Sequence, residues 1–70
     1  MNATSASPEH DPLLVRVEEA ARLLSIGRTR VYDLVRTGEL PSVKIFGSRR
    51  IPRASIDRYV TTLMQESEAA

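Results

Sequence analysis

The stretch VEEAARLLSIGRTRVYDLVRTG, residues 17–38, holds two apolar repeats separated by a three-residue break, and that spacing decides the fold. Val17, Ala20, Ala21 and Leu24 recur at i, i+3, i+4 and i+7, which places one apolar stripe on a helix. Glu18 and Glu19 lie in its first turn, where the helix dipole favours acids, and Glu19 is placed to reach back to the amide of Arg16 as half of a capping box. Ser25-Ile26-Gly27 is too short for more than a turn. A second helix follows, with Gly27 as its cap and Val31, Leu34 and Val35 as its stripe, and it stops at Gly38, which suits the left-handed position after a helix end. Two short helices joined by a glycine-containing turn are the signature of a helix-turn-helix.

Working outward, Glu39-Leu40-Pro41 breaks the helical pattern, and Val43 and Ile45 then alternate with Lys44 as in a half-buried strand. A two-residue turn at Gly47-Ser48 would set Ile45 against Arg50. A three-residue loop, Gly47-Ser48-Arg49, sets Ile45 against Ile51 on one face. The apolar register therefore predicts the longer loop, with Arg49 at the hairpin tip and Arg50 opposite Phe46. Pro52 then opens a third helix, where a missing amide costs least, with Ile56, Tyr59, Val60 and Leu63 as its stripe. Upstream, residues 13–15 suit a short extended segment. The expected fold is mostly α with a small β-hairpin, a winged helix-turn-helix: helix, turn, helix, two-stranded wing and closing helix. Residues 1–12 have no periodic apolar side chains and are expected to form a flexible leader; the folded domain covers residues 13–64, and residues 65–70 form a flexible, frayed tail.

A chain of 70 residues makes one small domain. Without cysteine, and with His10 as its single histidine, it has neither a disulfide nor a metal to staple it. The absence of cysteine fits a reducing compartment. No apolar run approaches bilayer-crossing length, and the leader lacks the apolar centre of a signal peptide, so a soluble cytoplasmic protein with no membrane partner is expected.

The net charge of +1 conceals a division. Residues 1–21 carry −3, whereas residues 22–58 carry nine bases against Asp33, Glu39 and Asp57, a balance of +6. Eight of those nine are arginine, the residue suited to forked contacts with phosphate and guanine. Charge alone fits a solvated surface as well as a polyanion binder.

Position on the elements sharpens the choice. The stripe of the second helix leaves Thr29, Arg30, Asp33, Arg36 and Thr37 outward, with Arg28 and Tyr32 on its flank. Arginine forks onto guanine, threonine meets a thymine methyl and aspartate accepts from cytosine N4, so this face suits the major groove of double-stranded DNA. Tyr32 sits at the margin of the stripe, where its ring is expected to pack in the core, with a hydroxyl that can reach a phosphate. Lys44, Ser48, Arg49 and Arg50 form the candidate wing contacts, because a glycine lets a turn approach DNA closely and arginines at a loop tip suit a narrow minor groove. For Lys44, protection of an edge strand from aggregation is the competing role. Catalysis finds no support. His10 falls in the leader, Asp33 and Asp57 have no partner at a recognisable spacing, and there is no phosphate loop or metal-ligand cluster. No enzyme activity, cofactor, metal or small-molecule ligand is expected.

The run VEEAARLL at residues 17–24, RTRVYDL at 28–34, GELP at 38–41 and RRIP at 49–52 resembles the excisionase family of DNA-binding domains, small relatives of the MerR-type winged helix. The resemblance covers about residues 13–63. It implies DNA contacts from residues 28–36 and from the wing at 44–50. It also implies the work of a recombination directionality factor, which binds beside an attachment site, bends DNA and biases an integrase toward excision. A location on the nucleoid of a bacterial cell goes with that role. Two positions depart from the family pattern: Arg16 stands where threonine or serine usually caps, and Gly27 replaces a frequent serine, together weakening capping by about 1 kcal/mol. MerR-type activators continue into a long dimerising helix, and only seven residues follow Leu63, so cooperative binding of neighbouring copies along repeated sites is expected. A small repressor using the same face, and a protein-interaction module docking an acidic partner, are the alternatives.

Overall fold

A computed structural model describes residues 12–69. The leader expected over residues 1–12, Pro12 excepted, lies outside the described residues, as does His10. The elements run β1 (Leu14–Val15), α1 (Val17–Leu24), α2 (Arg28–Arg36), β2 (Val43–Ile45), β3 (Ser48–Pro52) and α3 (Arg53–Ala69). Three helices surround a small antiparallel sheet of order β1-β3-β2, in keeping with a winged helix-turn-helix.

The helix-turn-helix follows the apolar spacing. Val17, Ala20 and Ala21 of α1 and Val31 and Leu34 of α2 are buried, while Leu24 and Val35 pack at the edge of the same cluster. The turn between them is closed by the backbone. The amide of Ile26 donates to Ala21 O at 3.0 Å and that of Ser25 to Arg22 O at 3.2 Å, with Ser25 in the left-handed region at φ 59°. This paired closure satisfies two carbonyls that the end of α1 leaves open. At the far end of α2, Gly38 takes φ 84°, the position where a side chain is disfavoured, and Leu40 N donates to Leu34 O at 3.0 Å. That bond turns Leu40 inward, where it is fully buried. The sequence reading passes over Leu40 because it belongs to no periodic run.

Capping follows expectation at Arg16 and Gly27 and departs from it at Glu19. Arg16 makes no side-chain cap bond, and Gly27 caps α2 through its carbonyl, which accepts from Arg30 N at 3.1 Å and Val31 N at 3.2 Å. Glu19 does not reach the amide of Arg16 but accepts from Arg22 Nε at 3.0 Å, one turn ahead on the same helix. That hydrogen bond holds the Glu19 carboxyl below the usual carboxylate range. Its small stabilising effect is therefore present above the ordinary carboxylate pKa and is lost as pH falls through the lowered native value.

The sheet corrects the expected wing. β3 pairs with β2 as Val43↔Arg50, Lys44↔Arg49 and Ile45↔Ser48, so the connection is a two-residue turn at Phe46-Gly47. Arg49 is within the strand, not at the tip, and Arg50 faces Val43, not Phe46. The reason lies in β1, which pairs with the other edge of β3 as Leu14↔Pro52 and Val15↔Ile51. Ile51 thus buries against Val15 and the helices and needs no match with Ile45. Both turn residues have positive φ, 51° at Phe46 and 83° at Gly47, the geometry whose twist matches that of the flanking strands.

Pro52 ends β3, and α3 begins one residue later. Ile56 is buried and Tyr59 half-buried, but Val60 and Leu63 are exposed, because α3 runs past the core. The helix continues to Ala69 where a flexible tail is expected: Met64, Gln65, Glu66, Glu68 and Ala69 are strong helix formers with no breaker among them. Among the described residues, no helix is long and apolar enough to cross a membrane.

Truncating Leu40 to alanine is expected to cost about 2–5 kcal/mol, a large share of the stability of so small a domain. Ser25→Gly is expected to add about 0.5–1 kcal/mol, since relief of the left-handed penalty outweighs the freedom gained by the unfolded chain. Urea midpoints of the two variants, at unchanged slope, check both signs.

Candidate nucleic-acid interface

With the apolar stripe of α2 against α1 and the sheet, its other side is left to solvent. Arg28, Thr29, Arg30, Tyr32 and Arg36 are exposed and Asp33 is half-buried. The stripe at Val31, Leu34 and Val35 therefore dictates which residues are offered to a ligand, as the spacing predicts. Tyr32 departs from the reading that buries its ring: it is 46% exposed. It lines an open depression of about 580 Å³ together with Val35 and Arg36 of α2, and Ser42 and Arg49 from the wing side. The wing therefore lies alongside the C-terminal half of α2, and helix and wing present one continuous surface.

The cations on this surface are held loosely or not at all. Arg28 Nη2 lies 3.6 Å from Glu18 of α1, with both side chains mostly in solvent. Arg36 is bound to Asp33 one turn earlier, again exposed. Arg30 has no ion pair among the described residues. Asp33, read from the sequence as an acceptor for a base, instead holds the guanidinium of Arg36, which fixes where that arginine points. Sequence spacing contains the signal for this contact, because i and i+3 are neighbours on a helix.

In the wing, strand alternation places Arg49 on the same face as Ile51, toward α2, and Arg50 on the opposite face with Val43. Arg49 Nη1 donates to Ser42 Oγ at 2.7 Å, and Arg50 Nη1 donates to the Arg49 carbonyl at 3.1 Å. Lys44 sits directly across from Arg49. Like charges in opposed cross-strand positions destabilise a hairpin, and a polyanion laid against the wing removes that cost. Ser48 is exposed opposite Ile45. The structure thus gathers Arg28, Thr29, Arg30, Tyr32, Asp33 and Arg36 on one helix face, with Arg49 beside its end. It leaves Arg50 and Ser48 on the far face of the wing. Phe46, at the tip, was not singled out by sequence reasoning, although a bulky residue before a glycine in a short hairpin is the available signal. A second hollow, of about 350 Å³, lies between α3 and the segment after α2, lined among others by Glu39, Pro41, Arg58, Tyr59 and Leu63. Among the described residues, no cluster of three His, Cys, Asp or Glu side chains is placed to hold a metal.

Similarity to known proteins agrees with this geometry. The model of the family described as "Helix-turn-helix domain" matches residues 14–64. A probable excisionase of Saccharopolyspora erythraea is 50% identical over 58 residues, which cover 83% of this chain and 59% of that protein. An excisionase of Streptomyces ambofaciens is 38% identical over 64 residues, covering 91% of this chain and 97% of that protein. The chain therefore spans less than two thirds of the length of the first relative and nearly all of the second. No solved structure gives a significant match.

The exposed pair Glu18–Arg28 is expected to have a coupling of only about 0.2–1 kcal/mol in a double-mutant cycle, shrinking further at 1 M salt. A coupling of that size leaves Arg28 free to exchange a carboxylate for a phosphate. A large, salt-independent value would instead make it a strut between α1 and α2.

Proposed function

The chain belongs to the excisionase family of helix-turn-helix proteins, and on that premise we propose that it binds double-stranded DNA sequence-specifically as an architectural excisionase. In this role it promotes excision by an integrase. The observation that carries the reading is the shared surface of α2 and the wing, in which Arg30 is free of ion pairs among the described residues and Arg49 flanks the helix end. Arg28, Thr29, Arg30, Tyr32, Asp33 and Arg36 form the major-groove face within a DNA-binding unit at residues 13–64. Lys44, Ser48, Arg49 and Arg50 supply the wing contacts.

Each group has a defined task. Arg30, in the first turn of α2, reads a base edge, with Thr29 beside it for a thymine methyl. Asp33 positions Arg36. Arg28, at the first turn, reaches a backbone phosphate, and the amide dipoles of the helix end reinforce that contact. Lys44, Arg49 and Arg50 bind phosphates flanking the neighbouring groove. If these three and Arg28 each neutralise one phosphate, log K falls against log salt with a slope near about −3.6. Integrase and neighbouring copies on the DNA are the protein partners of this role, which is carried out on the nucleoid, in the cytoplasm of a bacterial cell.

Capture of sheared genomic DNA on the purified protein, followed by sequencing, tests the reading. Enrichment of a recombination attachment arm bearing closely repeated sites is the expected result. Enrichment of promoters alone would replace excision by repression, and no enrichment over bulk DNA would overturn sequence-specific binding. On a captured site, Arg30→Ala is expected to cost about 1–3 kcal/mol and to relax base preference at one position. Arg49→Ala should weaken all sequences alike and flatten the salt slope by about 1. Competition binding at several salt concentrations distinguishes the two effects.

A further inference from the structure

Phe46 carries two costs that nothing inside the fold offsets. Its side chain is fully exposed, at 103% of the reference, so it gains no packing. Its backbone is left-handed, at φ 51°, a conformation in which a bulky residue is an outlier. The turn it shares with Gly47 favours asparagine, aspartate or glycine at the first position, and any of these would serve the hairpin better. Strain and exposure meeting in one residue at a loop tip point to a function outside the folded chain.

The surroundings say what it meets. The hairpin that carries Phe46 also carries Lys44, Arg49 and Arg50, so the ring stands at the end of a basic arm. The arm lies beside the C-terminal half of α2. The neighbouring apolar side chains of β2, Val43 and Ile45, keep more than half of their surface covered, whereas the ring has none covered. Gly47, with no side chain, keeps the tip thin enough for a minor groove about 6 Å wide. A single apolar ring on a narrow turn, flanked by cations that reach the phosphates on either side, has the makings of a wedge between base pairs.

We propose that Phe46 inserts from the minor-groove side between two stacked base pairs and so kinks the DNA that α2 reads. This rests on the DNA-binding reading above and adds to it a mechanical residue and a deformation. Base steps that unstack easily, such as TA and CA, are preferred at the insertion point, giving sequence preference where no base edge is read.

The chain has no tryptophan, so Phe46→Trp introduces a unique emitter at the tip. Leu63→Trp, on the exposed part of α3, gives a control emitter away from the wing. Each variant is titrated at low salt with a mixed-sequence 30-base-pair duplex, with binding followed independently by anisotropy of a label on the DNA. The expected result is strong quenching of the Phe46→Trp emission as the duplex saturates, from stacking on bases, with the Leu63→Trp emission unchanged. Phe46→Asn, which suits the left-handed turn, should melt no lower than the parent yet bind the duplex about tenfold more weakly. Binding by anisotropy with unquenched Phe46→Trp and undiminished affinity of Phe46→Asn would overturn the wedge and leave DNA binding intact, assigning the tip to a protein partner. No binding of the parent chain to the duplex even at low salt would overturn the DNA reading and the wedge with it.

Discussion

The constraint on which the placing of α2 and the wing both depend is the burial of Ile51, the penultimate residue of β3. Its side chain is wholly inside, opposite Val15 of β1 and among the apolar residues of α1, α2 and α3. Because β3 is the central strand, fixing Ile51 fixes the register on both sides. On one side it anchors the strand that enters α1. On the other it sets Arg50 against Val43 and Arg49 against Lys44, and so determines which wing cations face α2. Side chains alternate along a strand, so a slip of one residue would turn Arg49 away from the helix and expose Ile51. Leu40 does the equivalent work for α2, closing the end of that helix into the same core.

How much of this is legible in sequence depends on the distance over which each contact acts. The two helices, their three-residue turn and the stop at Gly38 follow from local periodicity and turn chemistry, and the outward face of α2 follows from its stripe. The wing register does not, because Ile51 finds its partner in Val15, far upstream, while the nearest apolar candidate in sequence is Ile45. Leu40 is hidden for a related reason: one apolar residue between glutamate and proline has no period, and only the bond to Leu34 O reveals its direction. Tyr32 lies on the boundary of a stripe, where a few degrees of helix rotation decide between core and groove. Of the candidate interface, the outward positions of Thr29, Arg30 and Arg36 are readable from the stripe, whereas the exposure of Tyr32 is not, and the pairing of Asp33 with Arg36 competes on equal terms in sequence with a base contact.

The ion pairs at the surface follow a consistent logic. Arg28 and Arg36 are each balanced by a carboxylate, and in both pairs the two partners remain in solvent. Such pairs add little to stability, so exchanging them for phosphate or base contacts costs little. They do restrict where long, flexible side chains go, and that lowers the ordering entropy left to be lost on binding. Lys44 and Arg49 occupy opposed cross-strand positions, and the Arg49 guanidinium is turned to Ser42 Oγ, so this face of the wing concentrates two cations. The surface formed by α2 and the wing is therefore cationic, with several of its long side chains already oriented.

A domain this small has little stability to lose, so the backbone conformations it tolerates indicate where selection placed something above stability. Among the described residues, three bends take a left-handed residue, and two of them use it for the fold: Ser25 ends α1 and Gly38 ends α2, each closing a helix terminus with hydrogen bonds. Phe46 ends nothing that asparagine would not end better. A polar residue there would leave the pairing of β2 with β3 intact and remove an exposed ring, improving solubility and hairpin stability together. Phenylalanine at this turn, between basic strands and beside α2, therefore serves no demand of the fold that the helices and Ile51 do not already meet, and that is the ground on which the proposed wedge rests.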